Sequence, residues 1–362
     1  MNKYFISLLM LLVAATGTQA KSWKIGPASV TGMDFASINA AMNSSIVSAG
    51  DTLYLDQYYN ESQEQTVTKR VVIIGTGYDT SLTDEQVVAR MTSNLTLKTN
   101  NVIVKSVRLD CPVSFYSSNC VIERCYIGNL IKTMSTTAGM NRIYSCYIHA
   151  RIEGYSNEYP SKYDIQNSVL IDDYFGNPSY HNIAYIAESI INNNVIRKYN
   201  TNYYSYVNQL ECYCLSSITN SQITNNLVLG YNSTGQSYYN KDFSSDVVAS
   251  GSGNTIEHNI FSGTAALSYY PNNKTGQRDN WNNFFVGKGN YSDYYILSKD
   301  SGDNPAIGYA TDGGDCGCHG GMFGCPSGGR PQYIPYFSKV VVGSRTENGK
   351  LPVSVTVKIQ DE

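Results

Sequence analysis

Charge is scarce in this chain. Lys, Arg, Asp and Glu make up 15% of its 362 residues, against ~25% in ordinary soluble domains. The 26 basic residues are not clustered and the net charge is only -3, so no basic patch or stripe points to nucleic acid. Beyond the N-terminus no run approaches the ~18 consecutive apolar residues of a membrane-spanning helix, which predicts a soluble mature chain. Helix formers are sparse after the first fifty residues. Tyr, by contrast, is plentiful, at 31 against 10 Phe, and Asn, Ser and Thr recur throughout. That composition suits a β-rich extracellular chain with a wet, neutral surface.

The first residues read as an export signal: "MNKYF" is a short basic start, "ISLLMLLVAATG" an apolar core and "TQA" a small-residue cleavage motif ending at Ala20. No cysteine follows the apolar core, so a lipoprotein signal is absent. The expectation is a signal peptide over 1–20 and a mature chain placed in the periplasm, at the cell surface or in the medium.

A short frame then recurs. "SNCVIERCYIGN" and "GMNRIYSCYIHA" both carry Ile-x-x-Cys-Tyr-Ile, the second copy starting 21 residues after the first. Looser copies start at Val104, Ile122, Ile143, Ile165, Ile186, Ile223, Ile256 and Trp281, separated by 18, 21, 22, 21, 37, 33 and 25 residues. A period of this kind marks a solenoid. Inward residues of a strand lie two apart. Ile122 and Cys125 are three apart, whereas Cys125 and Ile127 are two apart. The extra residue predicts a tight bend at Glu123-Arg124, Tyr144-Ser145, Gln166-Asn167, Thr224-Asn225 and Glu257-His258, where Asn tolerates the left-handed backbone. Each unit is strand, bend, strand, loop, and stacking such units gives a parallel β-helix.

The fourth frame position then forms a column inside the bend: Val107, Cys125, Cys146, Ser168, Ser189, Asn226, Asn259 and Phe284. Parallel neighbours stand ~4.8 Å apart, wider than the ~3.8 Å that disulfide Cβ atoms prefer. Cys125 and Cys146 are therefore expected as stacked thiols used as small core fillers. No His or carboxylate joins the column, so no metal is expected there. Cys212 and Cys214 read as core of one strand. "DFASINAAMNSSIVSAGDTLYL" predicts a short capping helix over Phe35–Met42 and a strand from Thr52, and "RVVIIGTGYD" a strand at Val71–Ile74.

"RVVIIGTGYD", the Asn-rich repeats and "NPAIGYATDGGDCGCHGG" together resemble the secreted β-helix proteins of the pectin-lyase-like superfamily, in the form common among Bacteroidetes. The resemblance covers nearly the whole mature chain. It implies a right-handed coil, a buried Cys316 and polysaccharide as the usual ligand. The fold expected is all-β: a single-stranded right-handed parallel β-helix with a short N-terminal capping helix over 21–330, and a C-terminal strand segment, 331–362, packed on it. The family's catalytic signatures do not carry over. Of the polygalacturonase motifs only Asp172-Asp173 is present, His319 lies in "CHGG" at the wrong end, and the Arg-rich signature of pectate lyases is missing.

Three sets of residues are candidates for chemistry. Arg151 and Asp173 follow their frame starts by the same eight positions, so Arg151, Asp172 and Asp173 can form a groove for acid–base work on a glycosidic bond or for calcium bound to a uronate. The competing reading is an exposed ion pair with turn-forming carboxylates. Tyr203, Tyr204, Tyr269 and Tyr270 fall in insertions, which project from solenoids; they either stack on sugars or cover the coils. In "DCGCHGGMFGCP" the spacing matches no standard zinc frame, and an oxidising compartment favours a Cys318–Cys325 disulfide. "DGGD" at Asp312–Asp315 lacks calcium-ligand spacing and reads as a turn. No cofactor is expected, with calcium the one candidate. The function expected is an exported, monomeric β-helix protein that binds or processes polysaccharide, as lyase or hydrolase. The alternative is a structural or cell-surface interaction protein without enzymatic activity.

Overall fold

The computed structural model describes residues 20–80, 87–172, 181–200, 212–232, 240–243, 253–261, 270–276, 284–286, 295–299, 304–325, 336–342 and 353–358. Within them the chain winds as a right-handed parallel β-helix with three all-parallel sheets. Sheet A has ten strands, from Ser22–Ile25 to Thr255–Glu257; sheet B has ten, from Asn60–Glu61 to Lys274–Thr275; sheet C has eight, from Gln65–Val67 to Asn240–Phe243. From Thr52–Leu55 to Asn240–Phe243 the strands follow in the order A, B, C. Among the described residues no helix is long and apolar enough to cross a membrane.

The interior is built from columns of like side chains. In sheet A, Leu53, Ile73, Val104, Ile122, Ile143, Ile165, Ile191, Ile223 and Ile256 are successive partners in register. Each is at most 2% exposed. Burying one such side chain stabilises the fold by about 2 kcal/mol, and the coils share that gain because none can bury its apolar face alone.

The helix α1, Ile38–Asn43, starts slightly later than the spacing predicts. Ser37 caps it, its Oγ accepting the N–H of Ala40 at 3.1 Å. Ile38, Ala41 and Met42 face the core. Asn39 covers the open edge of sheet C: its Nδ2 donates to the Glu64 carbonyl at 2.7 Å and its Oδ1 accepts from the Thr66 N–H at 2.8 Å. The helix thus hides an edge that would otherwise recruit another strand.

The bend between sheets A and B is one residue long. Ser106, Arg124, Ser145, Asn167, Asn193, Asn225 and His258 occupy it with φ between 50° and 60°. The frame starting at Ile186 is corrected here. Ile191, not Ile186, pairs with Ile165, so Asn193 is the bend residue and Asn194, not Ser189, follows Ser168 in the column. Ser189 belongs to the corner between sheets C and A, where its Oγ accepts the Tyr163 N–H at 2.9 Å and its own N–H goes to Ser221 at 3.0 Å. Both corners use a left-handed residue, Glu188 or Asn193, followed by an inward polar side chain, which is why one frame fits both. Asn273 likewise takes the place beyond Asn259 that the frame assigns to Phe284.

Tyr336–Val342 and Val353–Lys358 form an antiparallel pair. Among the described residues it pairs with no strand of sheets A to C.

Candidate functional site: a cation cluster on sheet C

The column inside the bend is a hydrogen-bond ladder. Cys146 N–H donates to Ser168 Oγ at 3.1 Å, Ser168 N–H to Asn194 Oδ1 at 2.9 Å, Asn194 N–H to Asn226 Oδ1 at 2.9 Å and Asn226 N–H to Asn259 Oδ1 at 2.9 Å. The bend aims these N–H groups inward, away from any strand partner, and the next coil's side chain satisfies each. Cys125 and Cys146 sit in the same column as unbonded thiols. Their sulfurs reach the carbonyls of Glu123 at 3.3 Å and Tyr144 at 3.2 Å. Burial, and then the neighbouring Cys125, push the Cys146 thiol well above its ordinary value. This ladder stabilises the coil and is closed to ligands.

Outside the same bend lies a strap, 304–325, that runs back along the stack. Cys316 Sγ donates to the His258 carbonyl at 3.2 Å, Gly317 N–H to the Asn225 carbonyl at 2.9 Å, Asn193 Nδ2 to the Asp315 carbonyl at 3.2 Å and Asn167 Nδ2 to the Cys318 carbonyl at 3.1 Å. Ser145 Oγ donates to the Gly324 carbonyl at 2.6 Å, and Phe323 stacks on Tyr144 at 4.4 Å. Beneath it, Val169, Val195, Leu227 and Ile260 of sheet B pack with Phe284, Phe285, Cys316, Cys318 and Cys325 in a second core. Cys316 is buried, and burial followed by the Asp315 charge lifts its thiol to about 12. The expected Cys318–Cys325 bond is not formed. The chain beside each cysteine is tied to a different coil, that of Asn167 for Cys318 and that of Ser145 for Cys325.

The expected groove is only partly within the described residues. Asp173 lies outside them, as do Tyr203, Tyr204 and Tyr269. Asp172 ends the strand Val169–Asp172 opposite Lys198. Tyr270 is half-buried and packs on the main core, while its carbonyl accepts from Asn273 Nδ2 at 2.8 Å. Arg151 is placed clearly, and its partner is Glu153, with Nε at 3.0 Å from Oε1.

Glu153 is the centre of a cluster that the frame does not reveal. Lys132 and Glu153 are register partners on adjacent coils, each following an inward isoleucine. Lys132 Nζ stands 3.7 Å from Oε2 and His181 Nε2 stands 3.1 Å from Oε1. Glu153 is only 7% exposed. Burial raises its pKa, but the His181 hydrogen bond and the charges of Arg151, His181 and Lys132 outweigh that and hold it below the ordinary value. Two permanent cations thus face one carboxylate in a chain that is otherwise slightly acidic. Their side chains remain about a third exposed, at 35% for Lys132 and 33% for Arg151.

The sheet continues past the cluster through Gly154. A Cβ there would stand 1.7 Å from the Tyr185 carbonyl oxygen, so only glycine lets the next coil approach. Among the described residues no group of His, Cys, Asp and Glu is arranged to hold a metal ion. The two cations give the cluster the charge to bind an anion. Comparison with protein-family models, curated proteins and solved structures finds no match to the chain.

Proposed function

We propose that this is an exported polysaccharide-binding β-helix protein that holds acidic sugars on the outer face of sheet C through Lys132 and Arg151. The observation that carries the reading is the arrangement around Glu153: one buried carboxylate fixes two cations whose side chains stay about a third exposed, at 35% and 33%. Arg suits a planar carboxylate because its donors form a rigid fork. The resemblance to the pectin-lyase-like superfamily and the export signal support the same reading.

A glycan array of the mature protein tests this directly. Binding confined to acidic glycans, lost in a Lys132→Gln/Arg151→Gln variant, is the expected result. Silence on the whole array favours a structural role at the cell surface instead. Recovery of the protein from the cytoplasm with its first twenty residues intact contradicts export.

A further inference from the structure

Sheet A changes character along its outer face. Outward residues alternate with the inward column, so Arg142 and Tyr144 flank Ile143. Beyond Tyr144 one outward column reads Gln166, Asn192, Thr224 and Glu257, and the other is polar apart from Ile190. That suits a sheet facing water. On the earlier coils the outward partners are Val72, Ile103 and Val121 in one column and Tyr54 and Ile74 in the other. Tyr54 is 41% exposed and the four aliphatic side chains are half-buried. Lys105 and Glu123 continue the second column; Glu123 pairs with Lys105 at 2.7 Å and with Arg124 at 3.6 Å. Lys24 and Arg142 bound the patch at its two ends. A contiguous outward patch of β-branched residues is what a sheet uses to carry a second layer.

The antiparallel pair Tyr336–Val342 and Val353–Lys358 has the matching property. Residues directly opposite one another in such a pair share a face. Phe337 stands opposite Val357, Val340 opposite Val355 and Val342 opposite Val353, so six apolar residues fall on one face. Tyr336 with Lys358, Lys339 with Thr356 and Val341 with Ser354 fall on the other. Two strands alone are marginal in water and need a layer against their apolar face.

The strap leads from one to the other. It starts at the coil of His258 and ends with Phe323 stacked on Tyr144 and the Gly324 carbonyl on Ser145. Tyr144 is therefore both the end of the strap and the start of the polar stretch of sheet A. The 10 residues 326–335 separate Cys325 from the hairpin, a length that reaches ~35 Å. Only three coils, each ~4.8 Å, separate Tyr144 from Ile74. We propose that the C-terminal hairpin lies face-down on the outer face of sheet A, with Phe337 and its valines over Val72, Ile74, Ile103 and Val121. Face packing explains how this segment joins the coil without pairing with any of its strands. Sheet B, across the bend, presents Arg90 and Arg108 around Asp110 on the same coils, a charged surface that an apolar layer would have to desolvate. A tethered partner is met at high effective concentration, which favours the hairpin of the same chain over that of a second copy. The docking is independent of the ligand assigned to Lys132 and Arg151.

Lysine cross-linking with mass spectrometry tests this on the full chain, in an equal mixture of unlabelled and heavy-nitrogen-labelled protein. Lys24 and Lys105 flank the patch, and Lys339, Lys350 and Lys358 lie in or between the hairpin strands. A short amine-reactive reagent is expected to join Lys24 or Lys105 to the hairpin lysines within one copy. Those links are expected to be lost in Val340→Ser/Val355→Ser and in Ile103→Ser/Val121→Ser. The second variant leaves the hairpin sequence intact, and a parent-like circular dichroism spectrum will show that the coil is intact too. Hairpin links to Lys98 or Lys132 of sheet C, or no links to the coil, overturn the docking. Links found only between labelled and unlabelled copies overturn it in favour of self-association. Links that survive in both variants overturn the apolar faces as its cause.

Discussion

Asn226 Oδ1 accepts two bonds from Asn194 on the coil before it, one from the backbone N–H at 2.9 Å and one from Nδ2 at 3.0 Å. Asn226 Nδ2 in turn donates to the carbonyls of Ile191 and Thr224, both at 2.8 Å. One side chain therefore satisfies four polar atoms in a dry interior. Each buried group left without a partner costs about 1–3 kcal/mol. Asn226→Ala should lower stability by more than about 3 kcal/mol, seen as a lower midpoint in urea at unchanged slope. Ser168→Ala, which strands fewer groups, should cost less. Equal, small effects from both would mean that the ladder is ornamental.

The thiols of Cys125 and Cys146 should stay unreactive toward iodoacetamide at pH 8 in the folded protein, because both are fully buried and Cys146 is held far above its usual value. After unfolding without reductant both should alkylate. A cross-linked peptide joining the two positions would refute the stacked-thiol geometry.

Glu153 predicts a pH signature. Its folded-state pKa lies below the ordinary 4.5. The stabilisation from its cations is therefore complete above the unfolded value and is lost as pH falls through the folded one. The stability gap between the parent and Glu153→Gln should be constant near neutrality and close below pH 4.5. A gap that widens as pH falls would mean the carboxylate is not held in its charged form. Urea midpoints at a series of pH values measure it.

The strap should detach independently of the coil. A Cβ at Gly320 would stand 1.9 Å from the Asp315 carbonyl oxygen and 2.7 Å from Asn193 Nδ2. Gly320→Ala should therefore open 304–325 to proteolysis while the β-sheet circular dichroism persists. Protease resistance equal to the parent would show that the strap tolerates the side chain.

The coil was legible in the sequence because its signals are local. Ile122, Arg124 and Cys125 lie within one frame, and a left-handed residue between two inward ones leaves a three-residue step. The same device at two corners hid the difference between Ser189 and Asn194. The cluster around Glu153 was less legible. Frames in sheets A and B step by 22 residues where Tyr147 pairs with Val169, whereas Ile152 in sheet C pairs with Ile183, 31 residues on. An insertion between the sheets breaks the count, so the frame that matches Arg151 to Asp173 does not reveal Glu153. A local signal for the Arg151–Glu153 pair was present: the two are two apart, on either side of the inward Ile152. The strap carries no local signal at all, since Asn167 and Cys318 meet across 151 residues.

Calorimetric titration of an acidic oligosaccharide into the parent and into Arg151→Gln tests the central claim most directly. The expected result is saturable binding that weakens with added salt in the parent and is reduced about tenfold or more in the variant, as for the loss of a charge-assisted contact. Arg151→Gln removes a cation from the buried Glu153, so a lower melting temperature with an unchanged circular dichroism spectrum is the control that the fold is intact. Identical affinities in the two proteins would contradict the assignment of sheet C as the ligand-binding face.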